Sequence, residues 1–369
     1  MISDHLYIGL MSGTSIDAVD AVAVTFNSNG IELIHSHSEP IPQDLKQQIL
    51  DLCHPHKDSV QLLGETDHRL GRLYAKTSLS LLDKAQLKAS QITAIGCHGQ
   101  TIRHAAPSEG NIPFSLQIGD ANILATETGI PVVADFRRKD MALGGQGAPL
   151  VPAFHHYAFA DAKINRVIVN IGGISNISIL PIDGACGGFD TGPGNVLMDL
   201  WSQTHLGTSY DHNGDWAASG ETHQALLQQM KRCDFFSQSA PKSTGRELFN
   251  QHWLNSQLTR FSELAPQDIQ ATLLSLTADS ISEAILELDI PVNEVYICGG
   301  GAYNNALMVK LSKQLPKVMT TEPLGIAPSL VEGCAFAWLA KQRLNHQCGN
   351  LAEVTGAKRQ TILGAIYLP

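Results

Sequence analysis

Hydrophobic positions along the chain fall into short runs, each closing on polar or glycine residues. Leu6–Leu10 ends in Met11-Ser12-Gly13-Thr14-Ser15-Ile16-Asp17, and Ala18–Val24 returns as a second run that carries Asp20. Two short apolar runs joined by a polar turn predict a β-hairpin with glycine, hydroxyls and a carboxylate at its tip. Helical spacing follows over residues 41–53 and 64–89, where Leu70, Leu73, Leu79, Leu81 and Leu82 supply much of an apolar face. Ile92–Gly96 reads as a buried strand ending at Cys97-His98-Gly99-Gln100-Thr101. A helix over about 121–128 and a strand over 131–134 come next, leading into Asp135-Phe136-Arg137-Arg138. Strands alternating with helices, each strand ending in polar residues, predict an α/β protein.

The pattern then starts again. Gly144-Gly145-Gln146-Gly147-Ala148-Pro149 reads as a flexible turn and a candidate crossover between domains. Arg166–Asn170 is a strand, Ile171-Gly172-Gly173-Ile174-Ser175-Asn176 a turn, and Ile177–Leu180 the returning strand. This repeats the design of residues 6–24 without its letters, as in an internal duplication. Gly187-Gly188-Phe189-Asp190-Thr191-Gly192-Pro193-Gly194-Asn195 holds one carboxylate among four glycines and precedes a helical stretch. It is read as a glycine loop opening a helix, with N–H groups and the helix dipole aimed at an anion beside Asp190. A structural turn or cap is the plainer use of such a loop. Helices are expected near 215–233, 246–259 and 267–288. A strand over 294–298 leads into Gly299-Gly300-Gly301, a helix over 306–315 follows, and a last helix runs from 329 to about 343.

Composition narrows the class. With 369 residues, 43% of them hydrophobic and 16% charged, the chain is long and apolar enough for two buried cores. A formal net charge of −10 speaks against nucleic acid or an anionic membrane as partner. The seven cysteines are scattered without a Cys-x-x-Cys pair, and the first residues lack the basic and apolar regions of a signal peptide. Both features predict a reduced, cytoplasmic protein.

Common nucleotide signatures fail. There is no Gly-Lys dipeptide and hence no Walker A loop, and no Gly-x-Gly pair continues into the dinucleotide fingerprint. What remains is two glycine-tipped hairpins, one in each half, and a strand that ends in three glycines before a helix. Hairpin N–H and hydroxyl groups suit the phosphates of a nucleotide, and the Gly299–Gly301 turn suits its base and ribose. That is the arrangement of actin-like ATPases and sugar kinases.

The sequence resembles one family within that superfamily, the anhydro-N-acetylmuramic acid kinases. The resemblance rests on Gly9–Asp17, His98-Gly99-Gln100-Thr101 with Ile102-Arg103-His104, Ala134–Arg138, Gly144–Pro152, Asn170-Ile171-Gly172-Gly173 and Gly188–Asn195. Lys242–Glu247, Cys298–Ala302 and Glu332-Gly333 complete it. It implies a two-lobed, actin-like fold of ribonuclease H-like duplicated domains with an interdomain cleft and closure around substrate. One lobe is expected over residues 1–135, joined by the tail at about 350–369. The other, with helical insertions, is expected over 136–349. It also implies a homodimer and a role in cell-wall recycling and amino-sugar catabolism.

The implied reaction uses ATP and Mg²⁺ to hydrolyse the 1,6-anhydro bridge of an amino sugar while phosphorylating O6. Asp190 corresponds to the family's base, and Glu332 is expected as a second site carboxylate. Gly13, Thr14, Ser15, Ile16, Asp17, Ala18, Val19 and Asp20 match the ATP-binding hairpin, with Asp17 reaching Mg²⁺ through water. Gly172, Gly173, Gly299, Gly300 and Gly301 are the remaining nucleotide contacts. His98 and Gln100 are candidates for the sugar, and Arg137 for its carboxylate. Arg137 and Arg138 are read as strand neighbours, so only one of them is expected at the site. Ala18 stands where the family often has glycine. An ordinary sugar kinase and a catalytically silent nucleotide sensor are the competing readings. The role of Lys242–Glu247 stays open, with helix capping as the plain alternative.

Overall fold

The computed structural model describes residues 5–13, 15–27, 30–54, 56–107 and 110–369. It divides into two compact units, one of residues 1–158 with 330–369 and the other of residues 159–329.

In the first unit, strands β1 (Leu6–Met11), β2 (Ala18–Asn27) and β3 (Gly30–Pro40) form an antiparallel meander. Strand β4 (Ile92–Cys97) lies parallel to β1 on the other side, after helices Gln43–Cys53 and Val60–Lys84. A separate two-stranded hairpin, β5 (Gln100–Ala105) and β6 (Phe114–Ile118), comes before β7 (Val132–Ala134), which is parallel to β4. Strand β3 was not expected. Its alternation is blurred by His35, Ser36, His37 and Ser38, none of which is fully buried.

The second unit repeats the plan. Strands β8 (Arg166–Ile171), β9 (Ile174–Leu180) and β10 (Gly187–Pro193) form the antiparallel meander. Strand β11 (Glu294–Cys298) is parallel to β8, and β12 (Val318–Thr320) is parallel to β11. Both sheets thus run third-second-first-fourth-fifth, to which the first adds an edge strand near the C-terminus, β13 (Ala365–Tyr367), antiparallel to β7. This doubled ribonuclease H-like order places the chain in the α/β class of actin-like ATPases and sugar kinases.

Each sheet has its own core. Ile8, Leu10, Ile49, Leu70, Leu81 and Ile95 pack in the first unit, and Val167, Val169, Leu254, Leu276, Ile281 and Ile297 in the second. Helix Val331–Leu344 lies against β1 and β4 at glycines. A Cβ on Gly9 would sit 1.9 Å from the carbonyl oxygen of Gly333, and one on Gly96 1.9 Å from that of Phe336. No side chain fits at either position, which fixes the helix that carries Glu332.

Candidate active site

The stretch around Asp190 departs from its sequence reading. Residues 187–193 are not a loop but β10, paired with β9, with a bulge between Asp190 and Gly192. The N–H groups of Gly194, Asn195 and Val196 donate to the carbonyls of Gly172 and Gly173, at 2.8–3.1 Å. They close the hairpin tip onto the following helix and are not spare donors for an anion beside Asp190. A Cβ on Gly194 would lie 2.4 Å from the Gly172 carbonyl oxygen, so the glycines serve this close approach.

Asp190 itself is buried. Its N–H donates to the Lys242 carbonyl at 3.1 Å, and its Oδ2 accepts from the Thr244 N–H at 2.9 Å. The Lys242–Glu247 block, open at the sequence level, is therefore what holds the carboxylate. Lys242 donates to the carbonyls of Phe235 and Phe236, each at 3.4 Å, and lies over the Phe235 ring. Burial lowers the ammonium pKa, opposed by the charges of Glu287 and Asp190. Sequence reasoning also missed Asn176, which pairs with Asp190 across the sheet and whose Oδ1 is buried with no hydrogen-bond partner among the described residues.

Gly172, Gly173 and Gly299–Gly301 come together in the same unit. Gly299 takes φ 78°, and a Cβ there would meet Asn170 Oδ1 at 2.5 Å. A Cβ on Gly301 would strike Ile171 at 2.3 Å, whereas one on Gly300 has nothing nearer than Asn195 Nδ2 at 3.8 Å. Gly299 and Gly301 seat the turn on the hairpin, and Gly300 leaves an open backbone surface.

In the first unit, the turn between β1 and β2 closes with Ile16 N–H on the Gly13 carbonyl at 3.2 Å, Ile16 having φ 56°. No atom lies within 4 Å of a Cβ placed on Gly13. Thr14 falls outside the described residues. Ile16 and Val19 are buried in the core, so any ligand contact there comes from backbone. Ser15 is exposed and Ala18 half-buried. Asp17 is paired with Lys46 at 2.6 Å, its side chain 54% accessible. Asp20 lies in β2, where burial raises its pKa against a hydrogen bond from Ser38.

His98 and Gln100 are buried where β4 passes into β5. Arg137 donates to His98 Nε2 from Nε at 3.2 Å and from Nη2 at 2.8 Å, and to the Gly147 carbonyl at 2.8 Å from Nη1. An imidazole that accepts from a guanidinium is neutral with its proton on Nδ1. Burial and the Arg137 charge accordingly hold His98 well below the usual imidazole pKa. The same two causes bring His104 to about 4. Gln100 Oε1 and His104 Nε2 are buried with no hydrogen-bond partner among the described residues. His98 Nδ1 is a third such atom. His98 bonds Arg137 and His104 feels its charge, so the orphaned polar atoms here suit a polar ligand. His104 was not singled out from sequence, although it lies in a block that carried the resemblance.

Arg138 is exposed and paired with Asp135 at 3.3 Å. The two arginines diverge for a reason other than the strand alternation expected: β7 ends at Ala134, and both open the helix Arg137–Ala142. Glu332 is half-buried in the first turn of helix Val331–Leu344. Among the described residues no group of three or more His, Cys, Asp or Glu could hold a metal ion, and no helix is long and apolar enough to cross a membrane.

A family model described as anhydro-N-acetylmuramic acid kinase matches residues 5–369. The chain belongs to the anhydro-N-acetylmuramic acid kinase family. The anhydro-N-acetylmuramic acid kinase of Shewanella halifaxensis is 52% identical over 368 residues, covering 99% of both chains. That of Pasteurella multocida is 50% identical over 364 residues, covering 98% of this chain and 96% of its own. Among solved structures, the activator of the 2-hydroxyisocaproyl-CoA dehydratase from Clostridium difficile aligns at TM-score 0.45 and 12% identity, over 92% of this chain and 96% of that one. Membership makes this chain an enzyme of the kinase class, with ATP as phosphoryl donor.

Proposed function

We propose that this kinase hydrolyses the internal 1,6-anhydro bridge of 1,6-anhydro-N-acetylmuramic acid and phosphorylates O6 in one process, giving N-acetylmuramic acid 6-phosphate and ADP. The observation that carries the reading is Asp190, a buried carboxylate held by the Thr244 N–H, in a chain about half identical to kinases named for this sugar.

In this mechanism Asp190 takes a proton from a water molecule whose oxygen attacks C1. The C1–O6 bond breaks, and O6 forms its new bond to the γ-phosphorus of ATP. The bond from that phosphorus to the β,γ-bridging oxygen breaks and ADP departs. Departing O6 would be a poor leaving group alone, and its capture by the phosphoryl group removes that difficulty. Positioning carries most of the remaining catalysis. Arg137 pairs with the sugar's lactyl carboxylate, while His98, Gln100 and His104 meet its polar groups, the neutral imidazoles adding no charge. Glu332 is the second site carboxylate.

Gly13, Gly172, Gly173 and Gly300 offer backbone to ATP where no Cβ intervenes; Gly13 and Gly300 have the open space that this requires. Asp17, half-accessible, fits contact with Mg²⁺ through water, the usual mode for an ion that keeps several waters. When bound, Mg²⁺ neutralises phosphate charge. In the cell the product would enter wall recycling, with the enzyme cytoplasmic and homodimeric.

The test is product analysis with ATP, Mg²⁺, the anhydrosugar and ¹⁸O-labelled water, comparing wild type with Asp190→Asn. Label in the anomeric hydroxyl together with phosphate on O6, both lost in the variant, is expected. Phosphorylation with the anhydro ring still closed would leave an ordinary sugar kinase. No sugar-dependent ADP release would leave a sensor.

A further inference from the structure

We infer that Asp140 is a positioning residue for the sugar, acting through Gly147 on Arg137. The inference rests on the reading above that Arg137 holds the sugar's carboxylate.

Asp140 is fully buried in helix Arg137–Ala142 and has no ion-pair partner among the described residues. Its Oδ1 accepts from Asn350 Nδ2 at 2.6 Å and from the Thr355 hydroxyl at 2.7 Å. Its Oδ2 accepts from the Gly147 N–H at 2.9 Å. A buried carboxylate without a cation is costly unless its oxygens are hydrogen-bonded, and here three neutral donors reach both of them.

Two of these donors meet at the loop 144–147: Gly147 lies in it, and Thr355 is bonded to it. Gly145 donates to the Asp140 carbonyl at 3.1 Å, and Gln146 to that of Thr355 at 2.8 Å. A Cβ on Gly145 would lie 2.2 Å from Asp140 Oδ2. The stretch that reads as a flexible turn is wrapped around a carboxylate and tied to the C-terminal segment. Gly147, at φ 71°, is then gripped at both ends: its N–H by Asp140 and its carbonyl by Arg137 Nη1 at 2.8 Å. The guanidinium has His98 on one side and the Gly147 carbonyl on another, so it arrives at a ligand preoriented. A bidentate guanidinium–carboxylate pair depends on that orientation more than on charge alone. Among the described residues, none of these hydrogen bonds involves Gly13 or Gly300. Asp140, Asn350 and Thr355 thus act on one substrate and not on the other.

The experiment measures kcat and both KM values for Asp140→Asn, Thr355→Val, Arg137→Ala and the Asp140→Asn/Arg137→Ala double variant. Expected is a rise of about tenfold in KM for the anhydrosugar in the first two, the size of one hydrogen bond to a charged group, with KM for ATP unchanged. The double variant should be no worse than Arg137→Ala. Equal changes in both KM values, no change in a folded Asp140→Asn protein, or additivity in the double variant would overturn the inference. If Asp140→Asn does not fold, Thr355→Val, which removes one donor at nearly constant volume, decides by the same split. An Arg137→Ala variant with unchanged sugar KM sinks the Arg137 reading itself, and this inference with it.

Discussion

Thr244 donates its N–H to Oδ2 of Asp190 at 2.9 Å, while Asp190 donates its own N–H to the Lys242 carbonyl at 3.1 Å. The carboxylate is thereby fixed at both its backbone and its tip by a segment more than fifty residues downstream. Lengthening the side chain by one methylene keeps the charge but cannot keep the position. Asp190→Glu is expected to lower kcat about a hundredfold or more, as misplacement by about 1 Å does, with both KM values little changed. Steady-state kinetics together with an unaltered unfolding midpoint checks this. Activity within a few-fold of wild type would mean that the carboxylate's position does not matter.

Much of the fold was legible because hydrophobic runs and glycine tips announce it: β1, β2, β4, β8 and β11 lie where the pattern puts them, and β9 starts three residues earlier, at Ile174, inside the stretch read as a turn. The stretch at 187–193 was not, since glycine and proline ordinarily mark a loop, and only pairing with β9 makes it a strand. Likewise Arg137 and Arg138 read as extended because β-branched residues precede them, and the turn at Asp135, φ 58°, is invisible in sequence. Asp190 could be picked out as the one charge among glycines. Its partners Thr244 and Lys242 could not, because hydrogen bonds across such a separation leave no local signal. Asp140 was hidden for the same reason, its three donors lying up to 215 residues away.

Three histidines of the first unit are neutral, His98 and His155 buried and His104 half-buried. His98 lies well below the usual range, His104 at about 4 and His155 at about 3, burial being the main cause in each. An unfolded histidine titrates near 6.5, so below that pH the unfolded chain binds protons that the native one does not. Stability therefore falls as pH drops through 6.5 toward 5, each histidine contributing up to about 1.4 kcal/mol per pH unit. Urea midpoints at pH 7.5, 6.5 and 5.5 should fall in that order. The slope should be smaller in His155→Gln, whatever that change does to stability at neutral pH. An unchanged slope there would remove His155 from the account.

Glycines of opposite surroundings give a paired test of packing. On β1, Gly9 has no room for a side chain, and Gly9→Ala must push helix Val331–Leu344 off the sheet, at about 3 kcal/mol or more. Gly64 sits within helix Val60–Lys84 with nothing within 4 Å of a Cβ, so Gly64→Ala should stabilise by about 1 kcal/mol through helix propensity. Denaturant midpoints measured side by side should move in opposite directions. A neutral Gly9→Ala would mean that the helix is free to shift away from β1.

Gly13 and Gly300 also have space for a Cβ, yet both lie on turns assigned to ATP. Neither has a positive φ, so alanine imposes no backbone strain. Gly13→Ala and Gly300→Ala should therefore fold normally, while the added methyl stands where the nucleotide approaches backbone. A close steric intrusion costs about 1–3 kcal/mol, which corresponds to a rise of roughly tenfold or more in KM for ATP. KM for the anhydrosugar should stay within a few-fold, the reverse of the pattern expected for Asp140→Asn. Gly301→Ala is the contrast: its Cβ would strike Ile171 at 2.3 Å, so it should lose stability as well as nucleotide affinity. Unchanged ATP kinetics in both open-glycine variants would remove these turns from the nucleotide site and leave the assignment of ATP to other backbone.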